Sequence, residues 1–212
     1  MSAIKMAVVA ANGRAGSKIV AEAVNRGIEV TAIVRHQKES PAQHTLIKDL
    51  FELTTEDVQD FDVLVDAFGT FTLENLPEHM VSIKHLTDIL SHVSTRLLIV
   101  GGAGSLYTDK DHRQQLKDSA DFPKEALPLA RIMSQTLEQL RLRDDVRWTY
   151  VSPAANFLAD GPRTGHYLLR GEEYSTNSKG ESSISYADYA IGLVDEALSG
   201  EHIHQRISLI GQ

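Results

Sequence analysis

The chain has 212 residues, 42% of them hydrophobic and 24% charged, the balance of a water-facing globular protein long enough for a substantial core. Its 21 Lys and Arg against 29 Asp and Glu leave a net charge of −8, which disfavours a general nucleic-acid surface, and the lack of cysteine excludes disulfides, thiolate nucleophiles and cysteine metal sites. No apolar run approaches a membrane span and the first reads as a strand rather than a signal peptide, so no membrane partner is expected and a cytoplasmic location is the default.

The first 35 residues set the pattern. An apolar run from Met6 ends in a tight turn at Ala10 to Gly13, and an Ala-rich periodic stretch follows from Arg14 to Asn25. Gly27 stops it, and a second apolar run spans Ile28 to Arg35. Strand, glycine turn, helix, turn and strand make the opening βαβ unit of a dinucleotide-binding fold. Gly13 lets the backbone turn and a pyrophosphate approach with no Cβ in the way, while Gly16 allows close helix–strand packing. The free N–H groups near Arg14 to Ser17 are then aimed at phosphate. The pattern Ala10-x-x-Gly13-x-x-Gly16 has alanine at the usual first glycine, and Ala10, Asn12, Gly13, Arg14, Ala15 and Gly16 are candidate cofactor contacts.

The second strand ends at Arg35, where NAD-preferring sites carry an acid that accepts from the ribose hydroxyls. A guanidinium there pairs with a ribose 2′-phosphate or merely caps the strand in solvent. The first reading makes NADP(H) the preferred cofactor, with NAD(H) as the alternative. After a polar loop from His36 to Pro41, Leu46-Ile47 reads as a short third strand, and Asp49 beyond it either accepts the adenine amino group or caps the next turn. Thr54 to Val58 reads as a short capped helix. Phe61 to Phe68 is a nearly continuous apolar strand, as in a sheet covered on both faces. Phe68 and Gly69 at its end cross the cofactor site.

Asn75 to His92 reads as one helix starting near Leu76-Pro77, with His79, His85 and His92 too widely spaced for a metal site. Arg96 to Val100 is the fifth strand and runs into Gly101-Gly-Ala-Gly-Ser-Leu-Tyr107. Glycines at the carboxyl end of a central strand mark close backbone approach where ligands bind in open α/β sheets. Gly101 and Gly102 are therefore candidate cofactor contacts. Ser105 is the candidate catalytic residue, pointing to the reacting end of the cofactor or else bonded to its own backbone. Asp109 to Lys124 is polar, a loop with helical turns, and Leu127 to Leu142 is a helix with Ile132, Leu137 and Leu140 inward. Val146 to Val151 is the sixth strand, and Pro153 beyond it removes a ladder donor and can lie against the nicotinamide. Tyr107, Ala154, Asn156 and Phe157 are candidate substrate contacts. Arg163 faces either an acidic substrate or solvent. Tyr167 to Leu169 is a short strand, Ser185 caps a helix over Tyr186 to Leu198 with Asp188 as the capping-box acid, and Arg206 to Ile210 closes the sheet.

Taken together, Ala11-Asn-Gly-Arg-Ala-Gly-Ser17, Ala32-Ile-Val-Arg35, Ala67-Phe-Gly69, Gly101 to Tyr107, Ser152-Pro153 and Ile184-Ser-Tyr-Ala-Asp-Tyr-Ala190 fall in one order. The chain thereby resembles the atypical short-chain dehydrogenases of the NAD(P)H-binding, NmrA-like group, which includes proteins called NADH-flavin reductases and the flavin/biliverdin-IXβ reductase. The resemblance covers nearly the whole chain. It implies an α/β fold, a Rossmann-like doubly wound parallel sheet with helices on both faces, formed by residues 1–212 as one domain with a small C-terminal cap from 152–185. Ordinary members use a Tyr-x-x-x-Lys helix motif, and the matching helix here, Pro128 to Arg143, has neither residue; Gln135 falls near the usual lysine place. The implied activity is hydride transfer from NADPH to a flavin or similar conjugated ring, by a monomer or homodimer. A quinone or enone reductase and a non-catalytic NADP(H) sensor are the alternatives.

Overall fold

The computed structural model describes residues 4–212, so the first three residues of the expected unit lie outside the described residues. The chain opens with strand β1 (Lys5–Val9), helix α1 (Arg14–Asn25) and strand β2 (Glu29–Val34), the predicted unit. Strand β3 (His44–Ile47) and a single 3-10 turn (Leu50–Glu52) lead to the short helix α2 (Thr55–Val58). Thr54 and Asp57 form a reciprocal capping box there. Strand β4 (Val63–Asp66) precedes helix α3 (Glu78–Ile89), which begins only after Pro77, because residues Thr72 to Pro77 form successive turns. Strand β5 (Arg96–Val100) and helix α4 (Leu127–Leu140) flank the loop with its expected helical turn, at Leu116–Asp118.

Strand β6 (Trp148–Pro153) keeps Pro153 as its last paired residue. Strands β7 (Asn156–Leu158), β8 (Tyr167–Arg170) and β9 (Ser183–Ser185) follow, then helix α5 (Tyr186–Ser199) and strand β10 (Gln205–Gly211). Ser185 caps α5 by accepting from Asp188 N–H at 3.0 Å, and Gly200 ends it at φ 66°, the left-handed conformation that costs glycine no Cβ clash.

Eight strands form one sheet in the order β3-β2-β1-β4-β5-β6-β10-β8, parallel throughout except for the edge strand β8. The chain moves outward from β1 through β2 and β3, then returns to β4 and proceeds the other way. The order therefore reverses between β1 and β4, which makes the crevice beyond their carboxyl ends the expected ligand site. Side chains alternate across the sheet. Met6 and Val8 of β1 enter the core under α1 and α5, while Ala7 and Val9 enter the core under α2, α3 and α4. Both faces are dry, which is why the strands read as continuous apolar runs. Strands β7 and β9 pair with each other in a separate two-stranded parallel ribbon.

Candidate active site

A cavity of about 1510 Å³ runs along the carboxyl ends of the central strands. The turns after β1 and β4, the two strands at the reversal, both open into it. In the middle lie Ala10, Asn12, Gly13, Arg14 and Ala15. Ala10 has φ 55°, left-handed backbone that costs a residue with a Cβ roughly 1–2 kcal/mol. It is held there because its carbonyl accepts from Gly13 N–H at 2.8 Å, closing the turn. A Cβ on Gly13 would lie 3.0 Å from that carbonyl oxygen, and one on Gly16 only 2.4 Å from it. Gly16 itself lies outside the cavity, buried where α1 meets β1, the close-packing role expected of it.

Gly13 is also the N-cap of α1 and offers no capping side chain, and the first turn contains no acid. The N–H groups of Arg14, Ala15 and Gly16 have no protein acceptor among the described residues. Three orphan donors and a helix dipole converging on an opening without a Cβ fit the diphosphate of a dinucleotide.

Toward β2 the cavity is lined by Arg35, His36, Lys48 and Asp49. Arg35 is exposed at the strand end, a placement common to the 2′-phosphate and the solvent readings. Asn12 Nδ2 donates to the His36 carbonyl at 3.1 Å and ties the glycine turn to the β2 end. Asp49 caps the turn after β3: its Oδ1 accepts from Phe51 N–H at 3.0 Å, while the residue still lines the cavity. Lys48 went unread in the sequence; it pairs with Asp57 at 2.6 Å.

Toward β5 and β6 the walls are Phe68, Gly69, Gly101, Gly102, Ser105 and Pro153. The glycines have a steric reason. A Cβ on Gly101 would overlap the Tyr150 ring at 2.3 Å, one on Gly102 would meet Met133 Sδ at 3.0 Å, and one on Gly104 would meet Ala130 Cβ at 2.6 Å. Tyr150 OH accepts from Gly102 N–H at 3.1 Å, fixing the loop from below, and burial pushes its phenol up to about 12. Ala154, Asn156 and Phe157, in β7 and the link before it, line the cavity as well, and Phe157 packs on Tyr186 with centroids 4.0 Å apart. Beside the glycine loop the wall continues with Leu116, Phe122, Leu129, Ala130 and Met133.

Three sequence expectations are corrected, for Tyr107, Gln135 and Asp188, and the open alternative for Arg163 is decided. Tyr107 does not line the cavity: its backbone bridges to Gln115 and Glu173, and its ring stacks on His112 at 4.3 Å. Gln135 is exposed, because α4 turns the face of Ala130 and Met133 to the cavity and Gln135 falls on the far side of the helix. Arg163 lies outside the cavity and is exposed, the solvent alternative, with its guanidinium bound to the buried Glu22 of α1 at 3.0 Å. Asp188 is no capping-box acid, since its carboxylate accepts from the N–H groups of Thr164 and Gly165, both at 2.9 Å.

Asp66 and Arg206 are among the buried charges that escaped the sequence reading. Among the described residues, the carboxylate of Asp66, the last residue of β4, accepts only from Phe68 N–H at 3.0 Å, and burial pushes it up to about 6. Arg206 of β10 is fully buried and donates through Nη1 to Ser105 Oγ at 3.1 Å. The signal for both was a charged residue inside an apolar run of a sheet covered on both faces.

Comparison with known proteins agrees with this geometry. Residues 10–197 match a family model described as NAD(P)H-binding. The chain is 43% identical over 213 residues to the uncharacterized protein YwnB of Bacillus subtilis (strain 168), covering 99% of each. It is 52% identical to SP1627 of Streptococcus pneumoniae TIGR4, a "putative NADH-flavin reductase", whose crystal structure superposes with a TM-score of 0.96 over 99% of this chain and 100% of that one. The anaerobillin reductase ChuY of Escherichia coli O157:H7, at 15% identity and a TM-score of 0.74 over 98% of this chain and 97% of its own, shares the fold. The family match runs from the turn after β1 into α5 and so spans nearly every element that walls the cavity: the chain belongs to the NAD(P)H-binding family.

Proposed function

We propose that the protein is an NADPH-dependent reductase that passes hydride to a flavin or a similar conjugated ring. The observation that carries this reading is the wall contributed by α4. Where an ordinary short-chain dehydrogenase needs a tyrosine and a lysine, this helix presents Leu129, Ala130 and Met133, and Phe122 continues the same apolar surface. Such a wall stacks a flat ring and supplies no proton. Reduction of an isolated carbonyl leaves a strongly basic alkoxide that calls for a positioned acid. A conjugated ring spreads the incoming charge over its heteroatoms, so water can supply the proton afterwards. The bound dinucleotide supplies the hydride. The protein's part is to hold donor and acceptor face to face and to keep competing reactions out.

In this reading the orphan N–H groups at Arg14 to Gly16 hold the diphosphate, and Arg35 takes the 2′-phosphate. Pro153 and the glycine loop at Gly101 flank the nicotinamide, with Ala154, Asn156 and Phe157 around the acceptor. The name of the Streptococcus pneumoniae relative supports a flavin acceptor; it carries NADH, whereas the cationic β2 end of this chain favours NADPH. The test is NADPH consumption with FMN, FAD, riboflavin and simple quinones. Turnover of a flavin is expected. Tight nucleotide binding with no turnover across the panel defeats the reductase reading in favour of a sensor.

A further inference from the structure

We propose that Arg206 is a positioning residue that turns the Ser105 hydroxyl into a hydrogen-bond donor aimed at the acceptor's ring oxygen or nitrogen; this rests on the reductase reading. The Arg206 side chain is wholly buried behind the cavity wall. It is fixed at four places. Nε donates to Glu172 Oε2 at 2.8 Å, and Nη2 makes a short ion pair to the same oxygen. Nη2 also donates to the carbonyls of Glu172 at 3.1 Å and Ser105 at 3.2 Å. The remaining group, Nη1, donates to Ser105 Oγ at 3.1 Å. Tyr107 covers the guanidinium, its ring centroid 5.7 Å away, and so belongs to this support rather than to the cavity.

The direction of the serine proton follows from donor chemistry. A guanidinium only donates, so the bond to Oγ occupies an oxygen lone pair and leaves the O–H free. Among the described residues, no protein group accepts from Ser105 Oγ. Ser105 lines the cavity, and in this proposal its O–H is turned to that side, where an acceptor can enter. A hydroxyl that accepts a charge-assisted bond from a buried cation is polarised and donates more strongly. Glu172 also holds Arg141 at 2.8 Å, so two guanidinium groups share this one carboxylate and Arg206 does not have it to itself.

The reaction explains the use. In the transfer, the nicotinamide C–H bond breaks and an acceptor–H bond forms with both electrons. The nucleotide is oxidised, the acceptor is reduced to an anion, and a proton from water completes the product. The developing charge on a carbonyl oxygen or ring nitrogen conjugated to the hydride-accepting atom is the natural partner for a polarised O–H. Arg206 touches neither reactant; it acts through Ser105.

The experiment is a mutant cycle with Ser105→Ala and the pair Arg206→Met with Glu172→Gln, the latter so that the charge facing Arg206 is removed together with it. Single-turnover hydride transfer from NADPH to FMN should fall roughly three- to thirtyfold for Ser105→Ala, the scale of one hydrogen bond. The Arg206 pair should lose a similar factor, and the triple variant no more than the larger of the two. NADPH affinity should hold throughout. Arg206→Lys, which keeps the cation, should fall between wild type and the pair, and it serves if the pair fails to fold. A second readout needs no turnover: 4-nitrophenol bound to the protein with NADP+ should ionise at lower pH than the free probe. Ser105→Ala and Arg206→Lys should each diminish that shift. Losses that multiply in the triple variant, or a wild-type protein that does not shift the probe, overturn the inference. A wild-type protein that shifts the probe but reduces no acceptor removes the reductase reading and leaves the Arg206–Ser105 relation standing.

Discussion

Arg35 and Asp66 show how far a single side chain can be read. Arg35 is exposed beside the cavity at the end of β2, with Lys48 already paired to Asp57, so it is the cation available to a 2′-phosphate at this edge. NADPH should therefore bind at least about tenfold tighter than NADH, a difference of about 1.4 kcal/mol. Calorimetric titration of both nucleotides checks this, and Arg35→Ala should weaken NADPH far more than NADH; equal losses would mean general binding instead. Asp66 makes a prediction about pH. Its carboxyl is held up to about 6 in the fold against an ordinary value of 3.8. Between these values the folded protein keeps a proton that the unfolded chain has lost. The contribution of Asp66 to stability is therefore greatest below the lower value and declines as pH rises through the upper one, by about 3 kcal/mol in all. Asp66→Asn keeps an oxygen for the Phe68 N–H and cannot ionise. Urea unfolding at pH 4 and pH 7 should show most of the wild-type decline gone in the variant, and an unchanged decline would place it elsewhere in the molecule.

At the scale of elements, the sequence disclosed what is encoded locally. The alternation of Met6 and Val8 with Ala7 and Val9 is invisible as amphipathicity because both faces are dry, but the apolar run bounded by glycine identifies the strand. The α1, α2 and α5 helices were legible from Gly27, from Thr54 with Asp57, and from Ser185, signals that lie within a few residues of the ends they set. What stayed hidden depends on distant partners. Strand β7 is three residues long and exists through pairing with β9, more than 20 residues further on. Asp188 looks like a local cap, yet its acceptor oxygens serve Thr164 and Gly165 on the loop before β8. The register of α4 needs the glycine loop on which Ala130 and Met133 rest. Ser105 could be placed at the site from its glycine neighbours, while its partner Arg206 stands 101 residues away.

At the scale of the whole molecule, the two glycines of the first turn separate folding from binding. Gly13 has φ −70°, which any residue adopts, and its absent Cβ would crowd Ala10 O at 3.0 Å, a distance that a few tenths of an ångström relieves. Gly16 faces the same oxygen at 2.4 Å from within the α1–β1 contact, where both partners are backbone and neither can yield cheaply. Gly13→Val should therefore fold, with its side chain standing where the diphosphate approaches, whereas Gly16→Val should separate the helix from the sheet. A ligand that binds only the folded state adds about 2.7 kcal/mol at a hundred times its Kd. For a chain of this length that raises the melting temperature by about 5–10 °C. Thermal unfolding with and without NADPH should show this rise for wild type. Gly13→Val should melt within a few degrees of wild type without nucleotide and show no rise with it. Gly16→Val should melt well below both in the absence of any ligand. A Gly13→Val protein that still gains the full rise would move the diphosphate away from the turn after β1, and with it the assignment of the whole cavity.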